Sequence, residues 1–205
     1  MEIYPLVYHF FCLLLFISLT KGFYNDHHFH YGYLIYAAAV VANFDLEWGR
    51  TYFQEVLTFI RDIANPSTHD KYFPAFRQKD WYLGSSWASG IATLGGQPYL
   101  NGRNQESSSE AIHAYEAIGL YGAVMVHAFG DGVSSSVIDN DNAVVSSRVR
   151  DMGRLLTATE LRSARRYWHV SRGDESRSVY PESYKPYVVG MVSLVRRLAS
   201  LNSTC

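Results

Sequence analysis

Hydrophobic positions along the chain fall mostly into helical spacing, with polar loops between them. The first run, Leu34 to Ala42, is rich in Ala and Val and apolar all round, the pattern of an inner helix buried in a larger assembly. Thr51 to Ala64 differs: Phe53, Val56, Leu57, Ile60 and Ile63 recur at three- and four-residue spacing. That predicts an amphipathic helix packed on one side and stopped by Asn65-Pro66-Ser67. Ser67 to Gln105 is punctuated by Gly, Pro, Trp and Asp and predicts a long irregular region, which a compact domain seldom carries without functional reason. A helix follows from about Ser107 to Phe129. Gly130 to Asn142 reads as a Gly/Ser/Asp/Asn loop, and Arg148 to Trp168 returns to helical spacing through Met152, Leu155, Leu156 and Leu161. A last helix is predicted from Tyr187 to Leu201. The sequence has no strand alternation of useful length and no Gly-rich phosphate loop after a strand, so dinucleotide and P-loop readings fail on context. The class is mainly α. Five helical segments with polar and aromatic residues gathered in the loops suit a helical toroid whose loops form a cleft at one end.

Composition narrows this picture. The 205 residues are 48% hydrophobic and 18% charged, enough for one globular domain or a piece of a larger one. A formal net charge of -1 provides no clustered basic footprint for a phosphate backbone, which excludes nucleic acid as partner. Sixteen Tyr and four Trp suit both cores and the apolar faces of sugars. With only Cys12 and Cys205 there is neither a disulfide framework nor a cysteine-rich metal site. The apolar stretch Phe10 to Leu19 has the length of a signal-peptide core and is too short for a confident membrane span, although Glu2 precedes it and no Lys or Arg does. Residues 1–22 are therefore read as a signal peptide or as sequence from a mispredicted exon. The sequon Asn202-Ser203-Thr204 fits export.

Three constellations carry candidate chemistry. In Asn25-Asp26-His27-His28-Phe29-His30-Tyr31-Gly32-Tyr33, one carboxylate and three imidazoles precede the first apolar helix. On an extended segment Asp26, His28 and His30 would share one face and suit a metal; alternatively the histidines cap a helix and bind a loop. In Gly102-Arg103-Asn104-Gln105-Glu106-Ser107-Ser108-Ser109-Glu110, two carboxylates four apart share one helix face. They are either a solvated pair favoured by the helix dipole or a site that tunes one of them as acid or base. In Lys79-Asp80-Trp81-Tyr82-Leu83-Gly84-Ser85-Ser86-Trp87-Ala88-Ser89-Gly90, rings interleave with Gly and Ser, as a sugar platform or as buried anchors for a long loop.

In this order, from Phe23 to about Met191, these motifs resemble the endo-1,3-β-glucanases of glycoside hydrolase family 81. The resemblance implies an (α/α)6 toroid, here incomplete, and endo-hydrolysis of β-1,3-glucan with inversion and no metal or other cofactor. It implies Asp26 as general acid, Glu106 as general base, and Glu110 and His30 as supporting residues, Glu110 in the catalytic set and His30 toward substrate. Tyr33, Asp80, Trp81 and Asn104, in the same three motifs, are the further substrate-binding candidates. Residues 23–191 are then a partial catalytic domain, 192–205 a divergent tail, and the protein is expected to be secreted or in the cell wall. The family pattern Gly-His-Ser-Trp stands here as Gly84-Ser85-Ser86-Trp87, which leaves as an alternative a truncated, catalytically impaired or silent glucan-binding remnant.

Overall fold

The computed structural model describes residues 26–88, 103–130, 137–170 and 178–194. Within them lie α1 (His27–Phe44), α2 (Leu46–Thr51), α3 (Phe53–Ala64), α4 (Ser108–Gly130) and α5 (Val137–Tyr167), with β1 (Arg103–Gln105) and β2 (Val192–Leu194). The fold is mainly α, as the periodicity predicts.

Helix α1 begins well ahead of the apolar run and includes the whole histidine motif. It buries Phe29, Leu34, Ile35, Ala38, Ala39 and Ala42, while Tyr33, Tyr36, Val40 and Phe44 form an exposed apolar stripe. The expected inner helix is thus covered on one side only among the described residues, because α3 and α4 both pack there. Asp45 ends α1 and starts α2, its Oδ1 accepting the Trp48 N–H at 3.0 Å in an N-cap. In α3, Phe53, Val56, Ile60 and Ile63 face inward as their spacing requires. The helix stops at Asn65, whose extended backbone precedes Pro66.

Helix α4 packs against both α1 and α5, and small residues set how close they come. At Gly32 a Cβ would sit 2.5 Å from Ala114 Cα, and a Cβ on Gly153 would overlap the backbone of Gly119. Around these crossings, Ile35, Phe53, Ile60, Tyr115, Ile118, Tyr121, Met125 and Leu156 make one buried core.

Two sequence expectations change. The loop predicted over Gly130 to Asn142 gives way at Val137, where α5 already begins. The helix predicted from Tyr187 to Leu201 is not helical over its described part. The Tyr187 C=O accepts the Val170 N–H, Val189 N–H donates to the Trp168 C=O, and Val192–Leu194 pairs antiparallel with β1, Gln105 opposite Val192. Pro186 followed by β-branched Val188, Val189 and Val192 favours the extended backbone. The apolar run Phe10 to Leu19, most of the interval between the Trp and Glu motifs, and the end of the tail lie outside the described residues.

Candidate active site

Asp26 sits at the mouth of α1 with φ 59° and ψ 14°, a left-handed conformation that Asp tolerates better than most residues. Its N–H donates to the Ala88 C=O at 2.9 Å, and its own C=O receives the Phe29 and His30 N–H groups at 3.0 and 3.2 Å. Ala88 in turn donates its N–H to the Asn104 C=O at 2.8 Å. One residue of the Trp motif thus ties the backbone of the Asp/His motif to that of the Glu motif, across the latter part of the irregular region.

Beneath this junction lies a buried polar cluster. Lys79 Nζ meets Glu160 Oε2 at 3.0 Å, with the two side chains 0% and 1% exposed, and also donates to the Gly84 C=O. The rings of Tyr115 and Trp81 lie 5.4 and 5.9 Å from the ammonium. Glu160 Oε1 accepts the Ser86 N–H at 3.1 Å, and the Ser86 hydroxyl lies 3.4 Å from the same oxygen. Ser86 Oγ is also 3.0 Å from His28 Nε2 and 2.8 Å from Gln105 Nε2. The Tyr115 hydroxyl is buried beside Ser86 without meeting hydrogen-bond geometry. Burial pushes Lys79 down and Glu160 up, and their mutual attraction opposes both shifts. His28 is pushed down to about 3 by burial, helped by the neighbouring His30, His27 and Lys79, and so is neutral near pH 7.

The two carboxylates of the Glu motif differ in setting. Glu106 is exposed between β1 and α4, whereas Glu110 is half-buried in the first turn of α4. The Tyr33 hydroxyl donates to Glu110 Oε1 at 2.9 Å, joining α1 to α4. Burial, then the Glu110 carboxylate, raises the Tyr33 hydroxyl, which stays a donor. His113 lies against Tyr33 and Tyr36 at ring distances of 5.3 and 5.1 Å.

Asp80 works within its own segment. Its Oδ1 accepts the Tyr82 and Leu83 N–H groups and its Oδ2 the Trp87 indole N–H, fixing the turn that displays Trp81 and Tyr82, 48% and 94% exposed. Trp81 rests edge-on against Phe76 at 4.9 Å. Of the Trp motif, Trp87 is therefore the buried anchor and Trp81 the displayed ring. Asn104 is the middle residue of β1, and its Nδ2 lies 4.0 Å from Met191 Sδ. His30 is half-buried on α1. The extended segment on which Asp26, His28 and His30 would face one metal is replaced by helix from His27 onward, and His28 turns inward to Ser86. Among the described residues no group of three His, Cys, Asp or Glu is placed to hold a metal ion.

Spacing did not single out Glu160 or the role of Ser86. Only the fold places Glu160, with Leu156, Ser163 and Ala164, on the buried face of α5, where a lone carboxylate requires a partner.

The sequence matches the glycosyl hydrolase family 81 C-terminal domain over residues 18–193. It is 38% identical to a glucan endo-1,3-beta-D-glucosidase of Thermobifida fusca over 170 residues, 82% of this chain and 19% of that protein. It is 32% identical to the primary septum glucan endo-1,3-beta-D-glucosidase of Schizosaccharomyces pombe, over 87% of this chain and 15% of that protein. A solved structure of a mutant family 81 glycoside hydrolase from Clostridium thermocellum is similar with a TM-score of 0.63 and 36% identity, covering 82% of this chain and 20% of that one. The chain spans a fifth or less of the length of these relatives. On the match over most of its length, the chain belongs to glycoside hydrolase family 81.

Proposed function

We propose that the chain carries catalytic residues of an endo-1,3-β-glucanase that hydrolyses β-1,3-glucan with inversion. The observation that supports this best is the double hydrogen bond of Ala88, to the Asp26 N–H and the Asn104 C=O, which draws the two carboxylate motifs to one place. Asp26 is the general acid that protonates the leaving glycosidic oxygen. Glu106, exposed and open to water, is the general base that activates the attacking water on the opposite face of the sugar. The inverting geometry needs the two carboxyl groups about 6.5–9.5 Å apart to admit that water. Glu110, held by Tyr33, orients the base, and His30 hydrogen-bonds substrate or carboxylate. Trp81 and Tyr82 offer stacking faces for glucosyl units, with Asp80 holding their turn and Asn104 at the edge of the ribbon. The reaction uses an acid, a base and water, with no metal or other cofactor. The (α/α)6 toroid, and the division into residues 1–22, 23–191 and 192–205, belong to the same reading. So does a secreted or cell-wall location, supported by the apolar run Phe10 to Leu19. No described helix is long and apolar enough to cross a membrane.

A second reading has one specific motive. Ser85 stands where the family pattern has His, and it is buried, with its C=O accepting the Asp80 N–H at 2.8 Å. A glucan-binding but silent protein would be pulled down by insoluble β-1,3-glucan and release no reducing sugar. The catalytic reading predicts oligosaccharides from linear β-1,3-glucan and none from cellulose or β-1,6-glucan. Equal release from cellulose overturns the substrate assignment.

A further inference from the structure

We infer that Ser86, anchored by the buried Lys79–Glu160 pair, is a positioning residue that fixes the Asp26 and Glu106 motifs relative to one another through His28 and Gln105. This rests on the proposed function for its catalytic meaning, but its geometry stands independently.

The proton assignments follow from the donors and acceptors present. Gln105 Oε1 accepts the Ser107 N–H at 3.3 Å, which turns the Gln105 amide so that its Nε2 donates to Ser86 Oγ. A serine hydroxyl has one proton and two lone pairs. If it donates to His28, the neutral imidazole must carry its proton on Nδ1, which is buried without a hydrogen-bond partner among the described residues. A buried N–H left unpaired is rarer and costlier than an unused lone pair. The better arrangement has His28 protonated on Nε2 and donating to Ser86, Gln105 donating to Ser86, and Ser86 passing its own proton to the Glu160 carboxylate. Each donor in this chain then has an acceptor, and the chain ends on a carboxylate balanced by Lys79. His28 lies two residues from Asp26 and Gln105 one from Glu106. The next residues along, Trp87 and Ala88, carry the backbone bonds to Gln78, Asp26 and Asn104. Ser86 therefore links by side chain the two motifs that Ala88 links by backbone.

The test uses the whole chain with 15N-labelled histidine and compares the parent with Ser86→Ala. In the parent, two-bond nitrogen–proton correlations should show His28 as the Nε2–H tautomer. In Ser86→Ala that tautomer should lose its preference, and amide exchange at Asp26 and Ala88 should quicken by about tenfold as the junction opens more often. With Ser86 intact, His28→Gln, which keeps an N–H donor, should retain slow exchange where His28→Leu does not. In a protein of the relatives' length that carries these residues, Ser86→Ala should lower kcat on β-1,3-glucan by up to about a hundredfold with KM little changed. An Nδ1–H tautomer in the parent, or parent-like exchange in Ser86→Ala, overturns the inference. Where Ser86→Ala does not fold, the parent tautomer decides alone. Where a protein of the relatives' length that carries these residues cleaves no glucan, the proposed function falls, and tautomer and exchange in the chain itself still decide the role of Ser86.

Discussion

Asp26 and Glu106 are assigned different work, and substitution separates them. The comparison belongs in a protein that carries these residues within the full length of its family 81 relatives. Asp26→Asn removes the proton donor, so the loss should be greatest for poor leaving groups and small for activated substrates such as glycosyl fluorides. Glu106→Gln leaves nothing to activate water. Turnover should then fall for good and poor leaving groups alike, with partial recovery in azide. If Glu110→Gln abolishes activity while Glu106→Gln spares it, the base moves one helical turn along. His28 gives a prediction about stability. Its folded value of about 3 lies below the ordinary 6.5, so its contribution is fully present above pH 6.5 and is lost as pH falls toward 3. The whole interval corresponds to about 5 kcal/mol. Between pH 6.5 and 5, above the usual carboxylate range, denaturant melts should show falling stability in the parent and a shallower fall in His28→Gln; equal slopes contradict the assignment. At this scale the sequence displayed the Asp/His, Trp and Glu motifs because their residue types are unusual. It hid Glu160, since a carboxylate on a long Arg-rich helix looks like surface charge until the partner brought by the fold, Lys79, is known.

Among the elements, the crossing of α4 and α5 depends on small residues more than on large ones. Gly153→Ala would drive a methyl group into the Gly119 backbone, where neither helix can yield cheaply. A loss of about 1–3 kcal/mol is expected, read as a lower midpoint in thermal or denaturant melts. Ala at exposed Gly130, where a Cβ meets nothing within 4 Å, should change stability far less. Equal effects would mean that the two helices do not meet as closely as described. Helices α3 and α4 were legible because their apolar spacing and stop signals agree with their packing. The start of α5 was not. Asp139, Asn140, Asp141 and Asn142 are poor helix formers that favour turns, and local propensity gave way to helix continuation there. The extended segment Tyr187–Leu194 was missed for the opposite reason: a short apolar run does not reveal its period, and its partners are Trp168 and Val170, just past α5, and β1, far away in sequence.

For the whole molecule, α4 joins the parts: Tyr33 on α1 reaches its first turn, and α5 crosses its middle and supplies Glu160 below the junction. The class and the order of the motifs could be read from the chain because each motif is local. The junction could not, since Ala88 links segments that meet only after folding. The central claim is that these residues perform inverting hydrolysis of β-1,3-glucan, and the most direct measurement is the anomer released first. The residues, again within a protein of their relatives' length, would be mixed with linear β-1,3-glucan and followed by proton NMR before the products mutarotate. A single displacement by water at a β-linkage predicts the α-anomer as the first signal, drifting later toward equilibrium. A first signal from the β-anomer would contradict the account, since it would require a covalent intermediate and a nucleophile where Glu106 is assigned as base.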